Sequence, residues 1–169
     1  MIKAVICDDE LATRNIICHF LEEEQLPIEI VGNAEDGEEA IQLIKETSPR
    51  LIFLDIHMPQ KNGFQVIEEV SREVGAQIIV LTAFASFENA QQALRLGVSD
   101  ILSKPVDFEQ LKAAIFRAVG WKFTSNETVN VMLEYIHNHY KENMELEDLS
   151  KVTYSTESHL ARLFKKHMG

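Results

Sequence analysis

The chain reads as an α/β protein: a doubly wound five-stranded parallel sheet, followed by a small all-α helix-turn-helix unit. Three observations predict this. The short runs Ala4-Val5-Ile6-Cys7 and Leu51-Ile52-Phe53-Leu54 have no polar face, as in strands buried on both sides of a parallel sheet. Such runs alternate with amphipathic stretches, through short connections, over the first 122 residues. Beyond residue 126 the strand pattern stops and only helical periodicity remains.

Element by element, Ile2–Cys7 is the first strand. Residues 11–24 form a helix carrying Ile16, Ile17, Phe20 and Leu21, and Pro27 separates it from a strand over Ile28–Ala34. Residues 37–47 turn Ala40, Ile41, Leu43 and Ile44 inward and stop at Ser48-Pro49. Leu51–Leu54 is the central strand. A helix opens at Gly63 and runs to Val74 through Phe64, Val66, Ile67 and Val70. Gln77–Leu81 is a strand, 86–96 a helix ended by Gly97, Asp100–Leu102 a short strand and 107–121 a helix. In the second part, 127–140 shows Val129, Met132, Leu133 and Ile136 on one face, 145–152 is a short helix, and Thr156 can cap a last helix over 157–168. A tight turn at Thr153–Thr156 makes the final pair a helix-turn-helix. The domain organisation expected is therefore 1–122, a short linker at 123–126, and 127–169.

Net charge is −11, with 11 Lys/Arg against 20 Asp/Glu in residues 1–124 and 5 against 7 in 125–169. So acidic a first part is a poor partner for nucleic acid. Any such contact is expected from the second part, around Arg162, Lys165, Lys166 and His167. No apolar run approaches the length of a membrane span and no basic, apolar leader precedes Ile2. Cys7 and Cys18 fall on a core strand and on the first helix, and read as reduced packing residues. A cytoplasmic protein with no membrane contact is expected.

Polar residues with chemistry close the strands on one edge. Asp8 and Asp9 end the first strand, Asp55 the central one, Thr82 the next, and Lys104, followed by Pro105, the last. Open α/β sheets bind their ligands at that carboxyl edge. Three carboxylates gathered there repel one another unless a divalent cation or a raised pKa intervenes. A flavin site on the same topology would need a Ser/Thr/Gly-rich phosphate loop after the first strand, and Asp8-Asp9-Glu10 stands in that place.

With these residues the chain resembles the response-regulator receiver domain, over about residues 1–122. The resemblance rests on Asp8-Asp9-Glu10, on Asp55 with Met58-Pro59 and Gly63 behind it, on Thr82-Ala83 and on Lys104-Pro105. It implies phosphoryl transfer from a sensor histidine kinase onto Asp55, a phosphoacceptor rather than a conventional enzyme. It also implies Mg²⁺ (or Mn²⁺) held by Asp9, Asp55 and the main-chain carbonyl of His57, and through water by Asp8. Lys104 would stabilise the transferring oxygens, and Thr82 would bond the phosphoryl group and pull its loop inward. One departure concerns the switch: many receivers place an aromatic residue three positions before the lysine, where this chain has Ile101. Phe84 or Phe87 is expected to take over part of the packing change. Phe84, two beyond Thr82, should also hinder water and lengthen the phosphoryl lifetime.

The stretch Tyr135-Ile136-His137-Asn138-His139-Tyr140, then Leu146–Ser150, then Ser158–Lys166, resembles the first half of an AraC-type DNA-binding domain. The resemblance implies Leu160, Leu163 and Phe164 inward, and Ser158, Ala161, Arg162 and Lys165 toward the DNA groove. Arg162 would be the base reader and Lys165 or Lys166 phosphate contacts. Members of that family continue past the residue matching Gly169 into a second helix-turn-helix, so a shortened regulator that binds DNA weakly is expected. A homodimer on phosphorylation is a further possible partner state. The leading expectation is a phosphorylation-controlled transcription factor. The alternative is a phosphoryl-relay or protein-binding receiver whose C-terminal helices dock a partner protein.

Overall fold

The computed structural model describes residues 1–120, 126–139 and 143–168. The chain divides into two compact units, Met1–Gly120 and Trp121–Gly169. In the first, strands β1 (Ile2–Cys7), β2 (Ile28–Ala34), β3 (Leu51–Asp55), β4 (Gln77–Thr82) and β5 (Asp100–Ser103) alternate with helices α1 (Leu11–Glu23), α2 (Gly37–Thr47), α3 (Gly63–Val70), α4 (Phe87–Arg95) and α5 (Phe108–Val119). All strand pairs are parallel and the sheet order is β2-β1-β3-β4-β5. The order reverses at β1, between β2 and β3, which opens a crevice at the carboxyl ends of β1 and β3. β3 is buried along its whole length, as its unbroken apolar run requires.

Local chemistry starts the helices. Asp36 accepts the N–H groups of Glu38 and Glu39 at the head of α2, Ser86 that of Asn89 on α4 and Asp107 that of Gln110 on α5. Asn62 and Gln65 form a reciprocal capping box on α3. Gly63 is required by close approach. A Cβ there would come 2.5 Å from the Asp55 carbonyl oxygen and 2.8 Å from the Ile56 Cα. That glycine lets α3 begin directly against the end of β3.

The helix opening at Gly63 is shorter than its apolar pattern suggests, ending at Val70 rather than Val74. Residues 71–74 continue as turns, with Glu73 and Val74 both donating to the Val70 carbonyl. Val74 still packs on the core, so the apolar periodicity records burial past the end of the helix. Ile16 is 41% exposed, and the buried stripe of α1 is Thr13, Arg14, Ile17, Phe20 and Leu21.

The second unit has α6 (Glu127–His139), α7 (Leu146–Thr153) and α8 (Glu157–Met168). Met132, Leu149 and Leu160 form its core, with Tyr135, Ile136 and Phe164 packed against them. Tyr154 takes the left-handed conformation after α7 (φ 52°), and the Thr156 carbonyl accepts from Leu160 at the start of α8. The expected linker at 123–126, except Asn126, and the helix ends at Trp121 and Tyr140 lie outside the described residues, as does Gly169.

Candidate functional site

The crevice gathers the strand-end residues. One oxygen each of Asp8, Asp9 and Asp55 lies within 4.8 Å of the others. Asp8 and Asp55 are buried, at 1% and 5% exposure, and Asp9 is exposed. Lys104 reaches in from the end of β5, after which the bond to Pro105 is cis. Its Nζ lies 2.8 Å from Asp8 Oδ2, 2.9 Å from Asp55 Oδ2 and 2.8 Å from Glu10 Oε2. The approach to Asp8 is a charge contact rather than a directed hydrogen bond, because Oδ2 of Asp8 is buried without a hydrogen-bond donor.

The rest of the pocket is held by the main chain. Asp55 Oδ1 accepts the His57 N–H at 3.1 Å, and Asp8 Oδ1 accepts the Glu10 N–H at 2.8 Å. Thr82 is wholly buried, and its Oγ1 accepts the Phe84 N–H at 3.1 Å. Phe84 is 64% exposed and meets the His57 ring edge-on with centroids 4.9 Å apart. Phe87 is 75% exposed, whereas Ile101 is half-buried and packs on the core.

Electrostatics follow from this crowding. Burial raises the Asp8 carboxyl above the ordinary carboxylate range, against the lowering pull of Lys104 and of the Glu10 N–H. For Lys104, burial disfavours the ammonium, but the contacts with Asp8, Glu10 and Asp55 together outweigh it and hold its pKa above that of an ordinary lysine. Glu10 is shifted down, mainly by Lys104. Four carboxylates around one ammonium leave the pocket with excess negative charge, and Asp8 Oδ2, ion-paired with Lys104, accepts no directed hydrogen bond from the described residues. This donor set of hard oxygens fits Mg²⁺ or Mn²⁺.

Two contributors escaped the sequence reading. Glu10 appears there only within the acidic run, yet it is a third carboxylate on Lys104. Arg14 is buried on α1, donating from Nη1 to the Asp8 carbonyl oxygen and from Nη2 to Glu35 Oε1, both at 2.6 Å. Its signal was available: Arg14, Ile17 and Leu21 share the inward helical stripe, and a charge on that stripe needs an inward partner.

The response regulator receiver domain matches residues 4–116. The chain belongs to the response-regulator receiver family. It is 30% identical, over all of its length and 76% of the relative's, to an uncharacterised response regulatory protein of Staphylococcus epidermidis. It is 28% identical, over the same shares, to the transcriptional regulatory protein HptR of Staphylococcus aureus. Among solved structures, the receiver domain of the response regulator AraT from Geobacillus stearothermophilus aligns with TM-score 0.64 at 32% identity, covering 69% of this chain and 92% of that one. The receiver domain of NarL from Mycobacterium tuberculosis aligns with TM-score 0.64 at 30% identity, over 71% and 98%. This receiver thus has the flavodoxin-like topology and, as the family does, an acidic cluster at its carboxyl edge. No helix among the described residues is long and apolar enough to cross a membrane.

In the second unit, Leu160 is buried and Leu163 and Phe164 are half-buried, while Ser158, Ala161, Arg162, Lys165 and Lys166 are exposed. Ala161 and Lys165 also border an apolar hollow of about 490 Å³ with Met132, Ile136, Leu146, Leu149 and Phe164.

Proposed function

We propose that the protein is a two-component response regulator in which Asp55 accepts a phosphoryl group from a sensor histidine kinase. Residues 1–122 are the receiver and 127–169 the output unit. The observation that carries this reading is Lys104 Nζ within 2.9 Å of both Asp8 and Asp55, beside three mutually close carboxylates. Asp8, Asp9, Asp55 and the main-chain carbonyl of His57 would hold Mg²⁺ (or Mn²⁺), which offsets the charge of an incoming phosphoryl group.

An Asp55 oxygen attacks phosphorus, the phosphorus–nitrogen bond to the kinase histidine breaks, and the imidazole leaves. Lys104, already on Asp55, turns its ammonium to the transferred oxygens, exchanging carboxylate contacts for phosphoryl ones. Thr82 Oγ1 accepts the Phe84 N–H, which leaves its hydroxyl proton to be donated to the phosphoryl group. Moving Thr82 draws on the Phe84 main chain, and the Phe84 carbonyl is itself bonded by the Asn89 amide of α4 at 2.9 Å. That chain of contacts is a route from the site to the α4 face that Ile101 does not supply. Mg²⁺-dependent labelling by a small phosphodonor, absent in Asp55→Asn, tests the assignment. Labelling that survives the substitution sinks it.

The output we propose is DNA binding of the AraC type through α8, with Arg162, exposed like Ser158 and Ala161, as base reader and Lys165 and Lys166 on phosphates. The apolar hollow beside Ala161 and Lys165 favours the second reading, in which these helices dock a partner protein. A salt-dependent gel shift that strengthens with an Asp55 phosphoryl mimic supports DNA output. Its absence, with the mimic instead promoting association with a protein, supports docking.

A further inference from the structure

We propose that Arg14 is a positioning residue for the acidic pocket: its buried guanidinium fixes the main chain of Asp8 and so the direction in which the Asp8 and Asp9 carboxylates face. The inference rests on the metal-dependent reading above.

Asp8 is held on three sides. Its N–H donates to the Ala34 carbonyl at 3.0 Å, its Oδ1 accepts from Glu10, and its own carbonyl accepts from Arg14 Nη1 at 2.6 Å. The third tie is the one a side chain supplies. Arg14 simultaneously reaches Glu35, the residue after β2, at 2.6 Å. From α1 it therefore staples the ends of two neighbouring strands, and only a planar fork can hold both at once. The peptide that Arg14 grips joins Asp8 to Asp9, so a rotation there turns both carboxylates away from Asp55.

A cation beside a metal site could equally act by repulsion, and the two effects have opposite signs. Glu35 decides between them. With its carboxylate 2.6 Å from the guanidinium, the pair carries no net charge, and its field at the pocket is that of a dipole rather than a free ion. Removing Arg14 then costs orientation and relieves little repulsion. Partners that orient ligating groups are worth about 10- to 100-fold in metal affinity when lost.

The test is Mg²⁺ affinity by titration calorimetry on the full chain without phosphodonor, with apo melting temperatures recorded alongside. Arg14→Lys keeps the charge and loses the fork, and Arg14→Gln loses both. Both are expected to weaken Mg²⁺ binding about 10-fold or more. Glu35→Gln, at an exposed position that leaves the Asp8 contact intact, is expected to weaken it by a smaller factor. Ile17→Val on the same helix face should lower the melting temperature without moving the affinity. Wild-type binding with Arg14→Lys and Arg14→Gln unchanged or tighter overturns the inference alone, as does an Ile17→Val effect of equal size. A wild-type protein that binds no Mg²⁺ overturns the metal reading and takes this inference with it.

Discussion

Phe84, whose N–H bonds Thr82 Oγ1, meets the His57 ring edge-on and is 64% exposed. On the proposed reading, a bulky ring at this position would obstruct the in-line approach of water to an acyl phosphate on Asp55. Phe84→Asn is expected to shorten the phosphoryl half-life, read by loss of label over time. An unchanged rate would remove Phe84 from that role. Cys7, one residue before Asp8, is wholly buried, and burial with the neighbouring Asp8 charge pushes its thiol up to about 12. Native protein at pH 8 is expected to leave Cys7 unalkylated by iodoacetamide, because neither thiolate nor access exists there. Unfolding in denaturant should expose it, and peptide mapping distinguishes it from Cys18.

At the scale of elements, β1, β3, β4 and β5 deliver Asp8, Asp55, Thr82 and Lys104 at or just past their carboxyl ends, and side-chain caps start α2, α3, α4 and α5. α3 shows how closely the two jobs are joined. Its capping box and the missing Cβ of Gly63 set its first turn against Asp55. Asn62→Ala is expected to cost about 1 kcal/mol, measured by urea unfolding with the slope unchanged. The strand-end residues and most helix starts were legible in the sequence because apolar runs and caps are local signals. The end of α3 was not. Val74 stays on the apolar stripe because it is packed, although its N–H turns back to Val70. Arg14 was missed for a related reason: a buried charge announces that it has a partner, but Glu35 lies 21 residues on.

For the whole molecule, the excess negative charge of the pocket, four carboxylates around one ammonium, is a stability cost that a bound cation would offset. Asp8, raised by burial, holds its proton more tightly in the folded protein than in the unfolded chain. Its contribution therefore favours the fold at acid pH and is lost as pH rises through the raised value, leaving a buried charge to be compensated. Mg²⁺ at about 100 times its dissociation constant is expected to add about 2.7 kcal/mol at neutral pH. The gain should shrink under mildly acid conditions, where protons compete for Asp8. Thermal unfolding with and without Mg²⁺ at the two pH values checks this, and equal gains at both would contradict it.

The sequence alone determined the alternation of strands and helices, the family resemblance and the identity of Asp8, Asp9, Asp55, Thr82 and Lys104 as strand-end residues. Those facts are written in neighbouring residues, because burial on two faces and helix capping both act over a few positions. Only the tertiary structure decided what these residues do to one another. Lys104 grips Glu10 from 94 residues away, Asp8 and Asp55 share that same ammonium, and Arg14 ties two strand ends together. Such distances follow from sheet order and helix packing, and charges interact through space rather than along the chain.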